Sequence, residues 1–348
     1  MTGWPEIFFP ASGLFWLPPL ALLLDLLLPD PRGLPHPVQG IARLAGIAEA
    51  LFRPRGRALI MGTAAACLTV TVTLAGVVLC LCLPCIGVLC AIYFSWSGLA
   101  LGALLREGRN ALDLTERGDL AEARAAVQNL VTRDTSAMQR TDLRRTLAET
   151  LSENFNDAFV APFFWLLLTG PAGLWAYKAV STLDSIWGYR TDRWLFFGRA
   201  AARADDGLAF FPARLSAFFL YVTALGRRSQ FFWPGWRLVA GEAGRMVSPN
   251  AGWPMAAAAW IHGAGMGGPA VYHGLPVLKP LIGPQERAWE EKDLAALIRH
   301  LRLAGIVAGI LLWACSLLLS QGLTHSAAPA LSAAAEAVDA GWAFRHIA

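Results

Sequence analysis

Long apolar runs alternate along the chain with short, strongly charged ones. Residues 13–28 are apolar except for Asp25, close to the roughly 20 residues a membrane-spanning helix needs. A charge inside such a helix is costly and usually functional, so Asp25 is expected to do chemistry or bind a ligand. A Pro- and Arg-rich polar stretch follows over 29–57. No residue from 58 to 105 is charged, and Pro84 divides this run into halves each long enough to cross a bilayer. The pattern predicts a helical hairpin with spans at 58–81 and 84–105. Arg53, Arg55 and Arg57 flank one end and Arg106 and Arg109 the other, so the positive-inside rule places both flanks in the cytoplasm and the N-terminus outside. Met1 to Pro10 carries no positive charge and no small-residue cleavage box follows. No cleavable signal peptide is expected, and the first apolar stretch is read as an anchor.

Residues 106–157 are the most hydrophilic segment and have helical periodicity. Asp119-Leu-Ala-Glu122 after Gly118 has the form of a capping box that starts a new helix. A second helix is predicted from about Asp142 to Asp157, where Glu149, Glu153 and Asp157 recur every four residues. Four residues turn a helix by about 400°, so the three carboxylates form one stripe, which ends where the apolar run 158–168 begins. The next run, 159–177, is interrupted by Pro162 and by Gly170-Pro171-Ala172-Gly173. A full crossing would separate Asp184 and Arg190 from Glu153, so this segment is predicted to be re-entrant or broken, with both charged blocks on the cytoplasmic side. Such irregular backbone is tolerated only where protein or water covers it.

Polar and aromatic residues fill 182–214, and an apolar run extends to Leu225. The Ala- and Gly-rich stretch 247–274 has few charges and is predicted to pack as a pair of small-residue helices. Residues 303–320 read as a final span. The runs 159–177, 208–225 and 253–275 either cross or turn back. The resulting organisation is all-α: a polytopic helical membrane protein with cytoplasmic helical loops, one membrane-embedded domain over 1–321, and a dispensable Ala-rich tail over 322–348. No internal repeat is present.

Composition agrees with this layout. Of 348 residues 55% are apolar and 16% charged, with a mean hydropathy of +0.46. A soluble domain carries about 25% charge, so disorder, a nucleic-acid-binding tail and most soluble enzymes are excluded. The formal charge of +4 is small for this length and argues for no nucleic-acid partner. Of the 29 basic residues only Lys178, Lys279 and Lys292 are lysine; arginine suits a planar, bidentate grip on phosphate or carboxylate, although a GC-rich genome produces the same bias. All six cysteines lie in apolar segments and read as buried small hydrophobes.

The motifs narrow the chemistry. No P-loop is present. Gly263-Ala-Gly265-Met-Gly-Gly268 matches the dinucleotide pattern, but helix-like sequence precedes it where that fold needs a strand, so close backbone packing is the reading. His262 and His273 are too far apart for a helical metal pair and read as hydrogen-bonded core or interface histidines. Glu149, Glu153 and Asp157, with Asn154, offer only oxygen ligands, a hard-donor set suited to Mg²⁺ with nucleotide phosphates. The competing reading is a solvated face neutralised by Arg144 and Arg145. Lys178, Asp184, Arg190, Arg203, Asp205, Asp206 and Arg214 crowd beside membrane-embedded sequence, where dense charge usually serves a ligand or an ion path.

Over residues 24–318 the chain resembles the CobD/CbiB family, the membrane-bound adenosylcobinamide-phosphate synthases of cobalamin biosynthesis. Several blocks in one order carry the resemblance: Asp25 with Pro29-Asp30-Pro31 and His36-Pro37-Val38; Glu49; Gly118-Asp119-Leu120 leading to Val131-Thr-Arg133-Asp134-Thr135; Glu149 with Glu153-Asn154; and Ala161-Pro162-Phe163. They continue with Tyr177-Lys178-Ala179, Thr182-Leu183-Asp184-Ser185, Gly188-Tyr189-Arg190, Phe197-Gly198, Ala202-Arg203, Asp205-Asp206, Pro212-Ala213-Arg214-Leu215, Ser248-Pro249-Asn250-Ala251-Gly252, Gly267-Gly268 and Tyr272. The chain departs at Ala158, where the family usually has glycine, and at Ser181, where it has asparagine.

The resemblance implies ATP-dependent amide formation that joins adenosylcobyric acid to aminopropanol or its phosphate at the inner membrane. ATP and Mg²⁺ are the implied cofactors; the corrinoid, the amine and membrane lipid are the implied partners, with a complex of late cobalamin-pathway membrane enzymes. The metal set it suggests is Glu149, Glu153, Asn154, Asp157 and Asp184. Arg133, Lys178, Tyr189, Arg190, Arg203, Arg214 and Asn250 are expected to grip phosphate or substrate, with Glu153 catalytic and His36 or Asp206 as the base. The alternatives are a related membrane sensor or assembly protein without catalysis, which would lose the charged blocks, and a polar-solute transporter, which would show a repeat of broken helices.

Overall fold

In a computed structural model the described residues are 14–28, 36–53, 56–189, 191–225, 235–272 and 274–343, with side chains described as far as residue 320. The order is α1 (Leu17–Leu27), α2 (Pro37–Phe52), α3 (Ala58–Leu81), α4 (Gly87–Ser97), α5 (Leu101–Arg117), α6 (Leu120–Gln128) and α7 (Arg140–Phe155). After a π-helical turn (Asn156–Val160) come α8 (Ala161–Trp187), α9 (Arg199–Leu208), α10 (Phe210–Ala224), α11 (Trp236–Ala243) and α12 (Gly252–His262). An antiparallel hairpin of β1 (Met266–Tyr272) and β2 (Leu275–Ile282) then leads to α13 (Glu291–Ala343). Among the described residues four helical stretches are long and apolar enough to cross a membrane, at 58–81, 87–117, 140–187 and 291–320; a fifth is counted if α9 and α10, bent by 43°, act together. The protein is a polytopic helical membrane protein, as the apolar runs predict.

The predicted hairpin is present: α3 ends at Leu81 and α4 starts at Gly87, with Cys85 in the left-handed region between them. Asp119 caps α6 through the Glu122 N–H, and α7 covers the predicted carboxylate stripe. Several expectations need correction. The described first helix has 11 residues, about 16 Å against a hydrocarbon core of roughly 30 Å, too short to span by itself. Cysteines 67, 82, 85 and 315 are exposed and 80 and 90 half-buried, so they face the apolar surroundings of the bundle and not its interior. Residues 247–274 form one helix and the first strand instead of a helix pair. Apart from these corrections, α13 runs on through the tail as far as Ala343.

Three interruptions of the helical ladder shape the bundle, and each frees backbone groups that lipid cannot satisfy. The first separates α4 from α5. Here the Trp175 indole donates to the Phe94 carbonyl at 2.8 Å and His36 Nε2 contacts the Ser97 carbonyl at 3.0 Å. The Gly102 N–H donates to the Asp25 carboxylate at 3.0 Å, and the Ala100 N–H to the Ala158 carbonyl at 2.8 Å. The second interruption, the π turn, follows from Pro162: it has no N–H to offer Ala158 four residues earlier, which leaves that carbonyl for Ala100. Phe155, Phe159 and Phe163 stack through this turn, with ring centroids 6.4 and 5.3 Å apart.

The third interruption is Gly170, at φ 68°, ψ −167°, a region open essentially to glycine. Pro171 follows it. A straight helix would hold Asp157 and Asp184 about 40 Å apart, yet both line one cleft, so the chain doubles back at Gly170. The interrupted segment is thus a turned-back pair of helical arms. Trp175, Tyr177 and Trp187 of the second arm are fully buried.

Two outcomes follow. Replacing Gly170 with alanine forces a side chain into the strained region and should destabilise the folded protein by about 1–3 kcal/mol in detergent denaturation; an unchanged midpoint contradicts the turn. Asp25→Ala removes the α5 cap and should cost about 1–2 kcal/mol by the same measurement.

Candidate functional site

The doubled-back arms, the loop after α6 and the β hairpin enclose a cleft of about 440 Å³. Glu153 and Asn154 enter it from the last turn of α7, Asp157 from the π turn, and Asp184, Ser185, Gly188 and Tyr189 from the end of α8. The loop contributes Leu130 to Arg133, and the hairpin contributes Tyr272 and Lys279. Its lining is acidic at Glu153, Asp157 and Asp184 and cationic at Arg133 and Lys279. The Asn154 amide group donates to the Thr150 carbonyl at 2.9 Å and hydroxyl at 3.0 Å, which leaves Oδ1 for a ligand. The Asn156 amide donates to Asp157 at 2.7 Å, while its oxygen accepts from the buried Ser216 hydroxyl at 3.1 Å.

Beside the cationic pair lies Glu149, with no exposed surface. Arg133 donates to its Oε2 at 2.5 Å and the Gly267 N–H to its Oε1 at 2.8 Å. Lys279 Nζ stands 3.8 Å away and Arg145 Nε 4.0 Å. Gly267 sits at φ +90°, and a side chain there would strike the Pro280 carbonyl, so the glycine-rich motif serves close packing as its context predicts. Arg133 and Lys279 also approach the Tyr272 ring, at 5.9 and 5.7 Å from its centroid. Burial opposes the Arg133 charge, but Glu149 more than restores it and holds the guanidinium pKa above its ordinary value.

A second cleft of about 440 Å³ shares Gly188 and Tyr189 with the first. Arg199, Arg203 and Asp206 of α9 line it, together with Trp187 and Trp194, whose rings stack at 6.4 Å. Lys178 lies in the second arm of α8, where its charge acts on Asp157 and Asp205.

The structure thus gathers Arg133, Glu153, Asn154, Asp157, Asp184 and Tyr189 in one cleft and Arg203 and Asp206 in the adjoining one. Four expected site residues do other work. Glu149 spends its carboxylate on Arg133 and Gly267, so its oxygens face donors and not a metal. His36 caps α2, accepting from the Val38 N–H at 3.3 Å while its other nitrogen meets Ser97; with both nitrogens engaged it is no base for this cleft. Arg214 stacks on Phe210 and Trp253, at 3.4 and 4.7 Å from their centroids. Asn250 is buried and donates to the Asp206 carbonyl at 2.8 Å. Arg190 lies outside the described residues, as do His273 and the Pro29-Asp30-Pro31 block. His262 is the core histidine expected, 3.1 Å from buried His300. Arg144 pairs with Glu116 at 2.5 Å and leaves the carboxylate stripe to other cations. Lys279 was missed; its signal was that lysine is rare in this chain, but nothing local showed that the strand would turn toward Glu149.

Fold and cleft define a polytopic membrane protein with a cleft of mixed charge beside its apolar helices. The model of the CobD/CbiB protein family matches residues 18–301. A cobalamin biosynthesis protein CobD of Geobacter metallireducens is 38% identical over 273 residues, covering 76% of this chain and 84% of its own. A CobD of Pelobacter propionicus is 38% identical over 295 residues, covering 80% and 88%, and a CbiB of Salmonella paratyphi A is 34% identical over 299, covering 83% and 93%. No solved structure matches the chain. The chain belongs to the CobD/CbiB family of cobalamin-biosynthesis proteins.

Removing one partner of a buried ion pair leaves the other uncompensated, at about 3–5 kcal/mol. Glu149→Gln should therefore lower stability by that order in detergent denaturation, and adding Arg133→Gln should recover part of it. A Glu149→Gln protein as stable as the parent contradicts the structural role.

Proposed function

We propose that the two clefts catalyse ATP-dependent amide formation between the corrinoid carboxylate of adenosylcobyric acid and aminopropanol or its phosphate, in the inner membrane with both clefts open to the cytoplasm. The observation that supports this most is the presence of acidic Glu153, Asp157 and Asp184 and cationic Arg133 and Lys279 in one cleft. Phosphoryl transfer depends mainly on positioning and charge neutralisation, and nucleotide phosphates held with Mg²⁺ need both sets of groups. Among the described residues no three His, Cys, Asp or Glu side chains group as a metal site. That suits Mg²⁺, which is held by one or two carboxylates together with substrate phosphates and not by an all-protein cage. One or two of Glu153, Asp157 and Asp184, with the Asn154 oxygen, would hold it, and it would supply neutralisation of phosphate charge.

A carboxylate is a poor electrophile and must first be activated. In the proposed sequence the corrinoid carboxylate oxygen attacks the terminal phosphorus of ATP, ADP leaves, and an acyl phosphate forms. The amine then attacks the acyl carbon and releases phosphate. Arg133 and Lys279 bind the transferring phosphoryl group, and Lys178 balances charge behind Asp157. Asp206 takes the proton that the incoming ammonium must lose. Arg199 and Arg203 beside it offer a bidentate grip on a phosphate, which favours the phosphate ester as the amine. A corrin ring is too large for a cleft of 440 Å³, so only its reacting side arm enters.

Purified protein incubated with adenosylcobyric acid, aminopropanol phosphate, ATP and Mg²⁺ should yield a corrinoid whose mass gain matches the amide. Glu153→Ala should abolish this turnover while elution and melting stay as in the parent. Near-parental turnover in that variant removes Glu153 from the reaction, and a bound but unchanged corrinoid overturns the synthase reading.

A further inference from the structure

Away from both clefts, α1, α5 and α13 pack against one another and leave between them a cleft of about 660 Å³. Arg106 and Arg109 reach it from α5, Arg299 and Arg302 from α13. Asp113, the one carboxylate among its lining residues, stands 3.8 Å from Arg109. The other three arginines make no ion pair with a described residue. Two helices almost 200 residues apart in sequence therefore converge on one small volume with an excess of positive charge.

Height in the bundle identifies what would occupy it. The charge-free run of α4 and α5 ends at Leu105, the apolar run of α13 starts at Leu303, and α1 ends with Leu26 and Leu27. All three apolar surfaces stop at this cleft, which places it at the boundary between hydrocarbon and water. Its lining below the arginines is apolar, and Leu27 there is 66% exposed. A soluble phosphate has no use for that floor, and a neutral lipid has none for the arginines. We infer that the cleft binds an anionic phospholipid, with the phosphate held by the arginines and the first acyl carbons against Leu27. Basic pockets between helices at the cytoplasmic face have the right chemistry for such headgroups, and guanidinium groups bind phosphate in a bidentate manner.

The test uses the full chain in detergent, titrated with phosphatidylglycerol or with phosphatidylcholine of the same acyl chains and read by native mass spectrometry. One equivalent of phosphatidylglycerol should bind at least about tenfold more tightly than phosphatidylcholine. Each arginine near a membrane surface is worth roughly fivefold in affinity, so the pair Arg106→Gln and Arg302→Gln should weaken phosphatidylglycerol about 30-fold and leave phosphatidylcholine unchanged. Arg106→Lys with Arg302→Lys keeps the charge and should retain binding within about fivefold, which separates lost recognition from lost folding. Equal affinity for the two lipids, or no effect of the glutamine pair, overturns the inference. Displacement of the lipid by an equal concentration of glycerol phosphate also overturns it, because the site would then belong to a free phosphate.

Discussion

At membrane depth a backbone N–H or carbonyl without a partner has no water to turn to, and a break in a helix must be completed by groups from elsewhere in the chain. The gap between α4 and α5 is such a break. Four groups from four segments close it: Asp25 from α1, His36 from the start of α2, the Ala158 carbonyl from the π turn and Trp175 from the second arm of α8. These bonds tie together elements far apart in sequence. They also give Asp25 and His36, two polar residues in or beside apolar sequence, a structural role. Asp25 is costly in a helix surrounded by lipid, but buried against the first turn of α5 it provides the cap that Ala100 cannot.

The same constraint shapes the site. Pro162 breaks the ladder after α7, and the resulting π turn carries Asp157 into the cleft; π turns recur at functional positions because they displace side chains from the regular helical stripe. Gly170 then reverses the chain and returns Asp184 to the level of Glu153. Without that reversal the two acidic groups would stand at opposite ends of a long helix, and no cleft between them could have an acidic wall.

Charge is organised around one buried carboxylate. Glu149 has no access to solvent, and Arg133, Lys279 and the Gly267 N–H surround it. It fixes two cations that also face the cleft, so these are held in place by a group that no ligand touches. The β hairpin, the one non-helical element among the described residues, is docked onto α7 through this carboxylate. At the same open end of the hairpin Glu242 accepts from the Gly283 N–H and from the Trp260 indole, both at 2.8 Å, which anchors it to α11 and α12.

Much of the architecture was legible from local pattern. The charge-free run divided by Pro84, the Asp119 cap and the carboxylates every four residues depend on periodicity and on short-range backbone chemistry, and the chain alone determines these. The interruption at Gly170-Pro171 was legible for the same reason: few residues other than glycine adopt its backbone angles. Glu153, Asn154, Asp157 and Asp184 could be named as candidates because dense charge beside apolar sequence is rare. What the sequence could not decide was where each charge would be spent. Glu149 lies on the same helical stripe as Glu153, yet Glu149 meets a glycine N–H more than 100 residues away and Glu153 faces an open cleft. Similarly, His36 and Asp25 were taken up by backbone groups, and Lys279 entered the site on a strand that nothing nearby foretold. Local pattern determines which groups are available, whereas the partner of a buried charge depends on long-range proximity, and only the tertiary structure supplies that.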